Sequence, residues 1–330
     1  MSNFYSLNEL LSYKKILNFV IGQRGGGKSF NAKKWCINDF LKNGNEFIWV
    51  RRYKTETKKL KLTFFEDILG EGLFVDHEFK IKGNDILIDN KVAGHFVSLS
   101  TSQQEKSTAY PRVTKIIYDE FVVEKSHIRY LPNEVETFLG FMDTVIRNRD
   151  NCRVVCIANN IQVTNPYFDY FKIRGDQTKR FVIKDDIIIE YYSNSKFAEE
   201  RLKTRFGQLI KDTEYGEFSL NNKSLLDNPI FIADKTPTSR PYFNMRWKGM
   251  TFGIWMDTKA DKMYFSQKHD PSVTTFSLTN DDHEPKMLHL KGFKKMGCVK
   301  NMKYAYSIGE LYFENQMLKR YFLDEILAYI

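Results

Sequence analysis

The segment ILNFVIGQRGGGKSF, residues 16–30, constrains this chain more than any other. An apolar run rich in Ile and Val breaks into glycines, and a helix-compatible stretch, KSFNAKKWCINDFL, follows at once. Gly22, four further residues, then Gly27, Lys28 and Ser29 give the spacing of a loop that wraps a phosphate between a strand and a helix. Glycine lets the backbone enter φ > 0, so successive N–H groups turn inward to an anion, and the helix N-terminus adds partial positive charge. Gly22, Gln23, Arg24, Gly25, Gly26, Gly27, Lys28 and Ser29 are therefore the candidate nucleotide-binding residues. In that pattern Lys28 reaches the β- and γ-phosphates of ATP, and the Ser29 hydroxyl ligates Mg²⁺.

Such a strand needs neighbours buried on both faces, and the chain supplies them. EFIWVRR (46–52), HFVSLS (95–100), TKIIYDE (114–120) and RVVCIANN (153–160) are short, apolar and rich in β-branched residues. They predict an α/β domain with a mainly parallel sheet. FKIKGNDILIDNKVAGHF (79–96) predicts an antiparallel hairpin at the sheet edge, and RFVIKDDIIIEYY (180–192) a second hairpin that closes the domain. The charged stretch 195–222 reads as a linker helix. PIFIADK, YFNMRWKG, TFGIWMD and KMYFSQ read as strands, and Tyr304 to Ile330 as helical, which makes a small α+β second domain. The expected division is 1–194, a linker over 195–228, and 229–330. A length of 330 residues fits two domains, because a single core stops growing near that size.

A loop that holds phosphate does not by itself imply hydrolysis, which also needs an acidic partner on a neighbouring strand. Ile116-Ile117-Tyr118-Asp119-Glu120 provides one. Asp119 is placed to hold Mg²⁺ and Glu120 to polarise the attacking water. The adjacent glutamate favours hydrolysis over phosphoryl transfer to an acceptor; the alternative reading is a nucleoside or nucleotide kinase. Asn159 and Asn160 end the strand expected between the two motif strands, where an amide can sense the γ-phosphate. Arg147 and Arg149 precede that strand, and an arginine supplied to a neighbouring subunit's site is a recurrent device in phosphoryl chemistry.

Fifty Lys and Arg against forty-one Asp and Glu, with a pI near 9.1, favour a polyanionic partner. Two stretches concentrate this charge: residues 51–61, with Lys54, Lys58 and Lys59, and residues 285–303, with Lys291, Lys294 and Lys295. These are the candidate DNA-binding residues, gripping phosphates rather than reading bases. Four scattered cysteines exclude a disulfide framework, and no Cys or His cluster has metal-ligand spacing. No apolar run is long enough to cross a membrane, and the N-terminus lacks a signal-peptide pattern, so no membrane partner and an intracellular location are expected.

Together these motifs resemble the DNA-packaging ATPases of short-tailed bacteriophages of the phi-29 group. ILNFVIGQRGGGKS, FIWVRRYK, EKSTAYP, IIYDEF, PNEV with MDTVIRNR, NPYF, KTRFG with TEYGE, and GIWMD with HDPS carry the likeness in order from about residue 16 to 270. The resemblance implies an ASCE-type ATPase domain with an additional strand, a helical linker, and a ribonuclease H-like C-terminal domain with vestigial nuclease function. It implies an ATP-driven double-stranded DNA translocase working as a ring, a pentamer, at the portal of a procapsid in the host cytoplasm, with a structural RNA as a further partner. It also assigns Lys28 and Ser29 to the nucleotide, Asp119 to Mg²⁺, Glu120 to catalysis, and Arg147 and Lys106 to the neighbouring subunit's site. Asp234 and Asp257 end strands of the second domain, but no full set of nuclease carboxylates is evident.

Overall fold

The five apolar runs of the N-terminal half become five parallel strands of one sheet. In this computed structural model the described residues are 5–105, 108–124, 129–161, 164–173, 179–220, 222 and 230–330. Lys106 lies outside them. The chain divides into two compact units, Met1–Leu226 and Asp227–Ile330.

The first unit runs α1 (Asn8–Ser12), β1 (Leu17–Gly22), α2 (Lys28–Asn43), β2 (Glu46–Arg51), α3 (Lys54–Thr63), α4 (Glu66–Gly70), β3 (Phe79–Lys82), β4 (Asp85–Ile88) and β5 (Lys91–Ser98). It continues with β6 (Val113–Asp119), α5 (Glu134–Ile146), β7 (Arg153–Asn159), α6 (Pro166–Tyr170), β8 (Phe181–Lys184), β9 (Ile187–Tyr192), α7 (Ser195–Leu202), α8 (Arg205–Ile210) and α9 (Glu214–Ser219). Among the described residues the sheet has nine strands in the order β3-β4-β5-β2-β6-β7-β1-β9-β8. The strand β7 lies between β6 and β1, the additional-strand arrangement.

Alternate residues of these strands feed two separate cores, which is why the runs are apolar throughout. Phe19, Val50, Tyr118 and Cys156 face the layer with Phe138 and Tyr167, while Val20, Trp49, Ile117 and Val155 face the layer with Cys36 and Phe64. Register then aligns the strand ends. Gly22 pairs with Asn159, Asp119 with Ile157, and Val50 with Tyr118. The last residues of β1, β7, β6 and β2 therefore meet along one edge of the sheet, where open α/β sheets bind ligands.

Two local expectations change, the first hairpin and the linker helix, while the second hairpin forms as expected. The hairpin over 79–96 is a three-stranded antiparallel set, because its third strand begins at Lys91 and is itself the strand parallel to β2. The hairpin over 180–192 extends the sheet, with β9 parallel to β1. The single linker helix becomes three short ones. Thr204 and Thr213 interrupt it, each side chain accepting a hydrogen bond from the N–H of the glycine three residues on, Gly207 and Gly216. A Cβ at either glycine would meet a carbonyl of the preceding turn, Arg201 O at 2.0 Å or Ile210 O at 1.9 Å.

The second unit comprises β10 (Arg240–Trp247), β11 (Met250–Asp257), β12 (Lys262–Ser266), β13 (Thr275–Ser277), β14 (Leu288–His289), α10 (Leu290–Phe293), α11 (Gly297–Ser307), β15 (Leu311–Phe313) and α12 (Gln316–Tyr321). Its order is β14-β13-β10-β11-β12-β15. An antiparallel meander, β10 to β12, is extended by β13 parallel to β10 and by β15 parallel to β12. Phe252, Phe265, Met302 and Phe322 are among the buried residues of its core. Among the described residues of PIFIADK only Ile232 pairs, in a bridge to Phe313, and the expected C-terminal helix is interrupted by β15.

Candidate active site

The aligned strand ends open into a cleft of about 580 Å³ lined by the loop from Gly25 to Phe30 and by Asp119, Glu120 and Asn159. Gly25 and Gly27 hold φ of 79° and 84°, as the loop requires. Gly22 is needed for a different reason: a Cβ there would stand 2.5 Å from Tyr192 O.

Lys28 begins α2 and is buried. Its ammonium donates to Gly22 O at 2.9 Å, Gln23 O at 2.7 Å and Asn159 Oδ1 at 3.3 Å. Burial pushes its pKa down to about 7, with the charge of Asp119 working against that shift. Ser29 Oγ donates to Asp119 Oδ1 at 2.9 Å. The hydroxyl and carboxylate are hard oxygen donors on adjacent elements, and such a pair fits Mg²⁺.

Arg51, at the end of β2, reaches both acids. It donates to Asp119 Oδ2 at 3.2 Å, Glu120 Oε2 at 2.5 Å and Glu56 Oε1 at 3.3 Å. Burial disfavours its charge, but Asp119, Glu120 and Glu56 outweigh that and hold the guanidinium above its ordinary value. Its Nε is buried and has no partner among the described residues. Glu120 stands just beyond β6 with φ of 60°, which turns it away from the strand. Asn159 Nδ2 donates to Glu124 Oε1 at 3.1 Å, whereas the side chain of Asn160 turns away to Asn222 O at 2.6 Å.

Not every sequence candidate enters the cleft. The Gln23 side chain pairs with the backbone of Asn194, accepting from its N–H at 2.7 Å and donating to its carbonyl at 3.4 Å. Arg24 faces Glu124 at 3.7 Å. Arg147 caps α5, exposed, with the unusual dihedrals φ 48° and ψ −124°, and does not line its own chain's cleft. Arg149 is spent on backbone carbonyls, including Pro111 O at 2.9 Å and Val113 O at 2.8 Å. Lys54, Lys58 and Lys59 lie exposed on α3, and Lys291, Lys294 and Lys295 are exposed on and after α10.

Arg51 and Arg52 read in sequence as part of a basic run, yet both are largely buried. The Glu56 side chain, which caps α3 and meets Arg51, is the one acid in that run. In the second unit, Asp257 is fully engaged. Oδ2 accepts from the hydroxyls of Thr236 and Thr238, and Oδ1 from the N–H groups of Lys259 and Ala260. The hydroxyls of Thr236 and Thr238 hold its carboxyl well below the usual range. Asp234 is exposed, and among the described residues no group of three or more His, Cys, Asp or Glu is arranged to hold a metal ion.

Comparison with known proteins follows the same lines. The family described as Podovirus DNA encapsidation protein (Gp16) matches residues 1–326. A DNA packaging protein of Bacillus phage B103 is 45% identical over 311 residues, 94% of this chain and 96% of the relative. A chain of the bacteriophage Phi-29 viral genome packaging motor assembly superposes with a TM-score of 0.82 at 43% identity, covering 99% of both chains. The N-terminal domain of the DNA packaging ATPase from bacteriophage phi29 covers 59% of this chain and all of that domain, with 48% identity and a TM-score of 0.56. A match over nearly the whole length, on a chain whose strand ends gather a phosphate loop and two acids into one cleft, means that this chain belongs to the podovirus DNA encapsidation protein family.

Proposed function

We infer that the chain is the ATP-hydrolysing subunit of a motor that drives double-stranded DNA into a viral procapsid. The observation that carries this reading is the meeting of Lys28, Ser29, Asp119, Glu120 and Asn159 at one sheet edge. Family membership weighs against the kinase alternative.

Ser29 and Asp119 would hold Mg²⁺, which neutralises charge on phosphate oxygens. Lys28 exchanges the loop carbonyls for phosphate oxygens. Glu120 is bound to Arg51 in this arrangement, so it polarises water only after that ion pair opens. Asn159 orients what lies between Lys28 and Glu120. Arg147, exposed at the end of α5, is offered to the neighbouring subunit of a ring, a pentamer, and Lys106 serves the same interface. Lys54, Lys58, Lys59, Lys291, Lys294 and Lys295 grip DNA phosphates. A portal, a procapsid and a structural RNA are the remaining partners, in the host cytoplasm.

Following the γ-phosphate of labelled ATP tests the reaction. Release as inorganic phosphate, lost by at least about 100-fold in Glu120→Gln while nucleotide still binds, is the expected result. Label transferred to a nucleoside or nucleotide acceptor would instead establish a kinase.

A further inference from the structure

We propose that the buried pair of Arg52 and Glu134 is a positioning clamp that sets the backbone of Glu120 for hydrolysis. Their side chains are 2% and 1% exposed. Neither lines the cleft. Burying two charges costs desolvation that an apolar pair of equal volume avoids, so stability alone gives no reason for an ion pair here. What an ion pair does provide is direction, because each donor and acceptor fixes an angle as well as a distance.

The directions converge on the catalytic turn. Arg52 Nε and Nη2 donate to Glu134 at 2.8 and 3.0 Å. It also donates to backbone, Nη1 to Glu120 O at 3.1 Å and Nη2 to Phe121 O at 2.7 Å. Those two carbonyls belong to the turn in which Glu120 takes φ of 60°, a conformation that L side chains seldom adopt and that the surroundings must enforce. From the other side, Phe121 N donates to Ile157 O of β7 at 3.2 Å.

Glu134 is itself held on every side. Besides Arg52, it accepts from Tyr118 OH at 2.8 Å, Tyr167 OH at 2.9 Å and Leu131 N at 2.8 Å. Tyr118 lies on β6, Tyr167 on α6, and Glu134 opens α5. The clamp thus ties the catalytic turn to three elements. Its charge also sits favourably in the first turn of α5. Arg52 and Glu134 act through Glu120 and are positioning residues, not catalytic ones.

This inference rests on the hydrolytic reading of the cleft, and its test separates the two. In the full chain, Glu134→Gln should lower kcat on the order of tenfold, as misplacement of a catalytic group does, with affinity for a fluorescent ATP analogue unchanged within about twofold. Made in a Glu120→Gln background, the same change should lower single-turnover hydrolysis no further, since the group it positions is already gone. An equal fold-loss in both backgrounds, or a parallel loss of nucleotide affinity, overturns the clamp alone. Native-rate hydrolysis by Glu120→Gln overturns the site reading and the clamp with it. If Glu134→Gln does not fold, Tyr167→Phe removes one hydroxyl and leaves the ion pair; it should show the same dependence on Glu120 at smaller size, and an unchanged kcat would count against the proposal.

Discussion

At the scale of single residues, the polar groups that line the cleft satisfy one another. Lys28 shows this most directly, since burial lowers its pKa to about 7 while it donates to loop carbonyls. The free chain loses that proton as pH rises through 7, whereas a lysine against phosphate keeps it. Binding therefore takes up a proton above pH 7, and affinity falls as pH rises. In metal-free buffer, the dissociation constant for ATP should weaken by about tenfold between pH 7 and pH 8.5; isothermal titration giving a flat profile would contradict it. Sequence spacing was sufficient to single out Lys28, Ser29, Asp119 and Glu120, which the fold brings into one cleft, because a phosphate loop and an acid-ending strand are written in contiguous residues. It was insufficient for Arg51 and Arg52, whose partners Asp119, Glu120 and Glu134 are remote in the chain. A run of cations looks the same whether it faces solvent or buried carboxylates.

At the scale of elements, the five buried strands were legible because their apolar runs are continuous, and the short pieces were not. Strands β13 and β15 have three residues each, too few for any period to register. The broken linker helix did leave a trace, in T-R-F-G and T-E-Y-G, where a capping threonine precedes a glycine that lets the next turn pack closely. Gly216→Ala should therefore destabilise the first unit by about 1–3 kcal/mol, the usual cost of overpacking, seen as a lowered Tm in thermal denaturation. An unchanged Tm would mean that the close approach of Gly216 to Ile210 O relaxes freely. The first of these helices also touches the phosphate loop. Asn194 caps α7 and pairs with Gln23, Phe197 comes 3.2 Å from where a Gly25 Cβ would stand, and Arg201 donates to Arg24 O at 3.4 Å. Phe197→Ala should leave DNA-independent hydrolysis within about threefold of native and reduce its stimulation by DNA, the outcome expected of a ring that packs from α7 against the phosphate loop. Equal stimulation in the two proteins would show that α7 is a bystander.

At the scale of the whole molecule, two trios of lysines have no ion-pair partner among the described residues. Lys54, Lys58 and Lys59 are exposed along α3, and Lys291, Lys294 and Lys295 lie exposed in the second unit. Binding to duplex DNA should weaken steeply with salt. Replacing either trio by Gln should flatten the logarithmic slope by about 0.9 for each phosphate that is no longer neutralised, with no change in sequence preference. Unaltered slopes would move the grip elsewhere. In the second unit the carboxylate of Asp257 is engaged by Thr236, Thr238 and the N–H groups of Lys259 and Ala260, and the vestigial-nuclease expectation is open to a direct assay. A duplex incubated with the protein in Mg²⁺ or Mn²⁺ should stay intact, and cutting abolished by Asp234→Asn would reverse that reading. In the motor reading the cleft hydrolyses ATP in the service of moving DNA. Steady-state ATP hydrolysis by the purified chain, with and without double-stranded DNA and procapsids, tests it most directly when native protein is compared with Glu120→Gln. Strong stimulation by DNA and procapsids that disappears in the variant is the predicted result; hydrolysis that stays negligible with both present would contradict it.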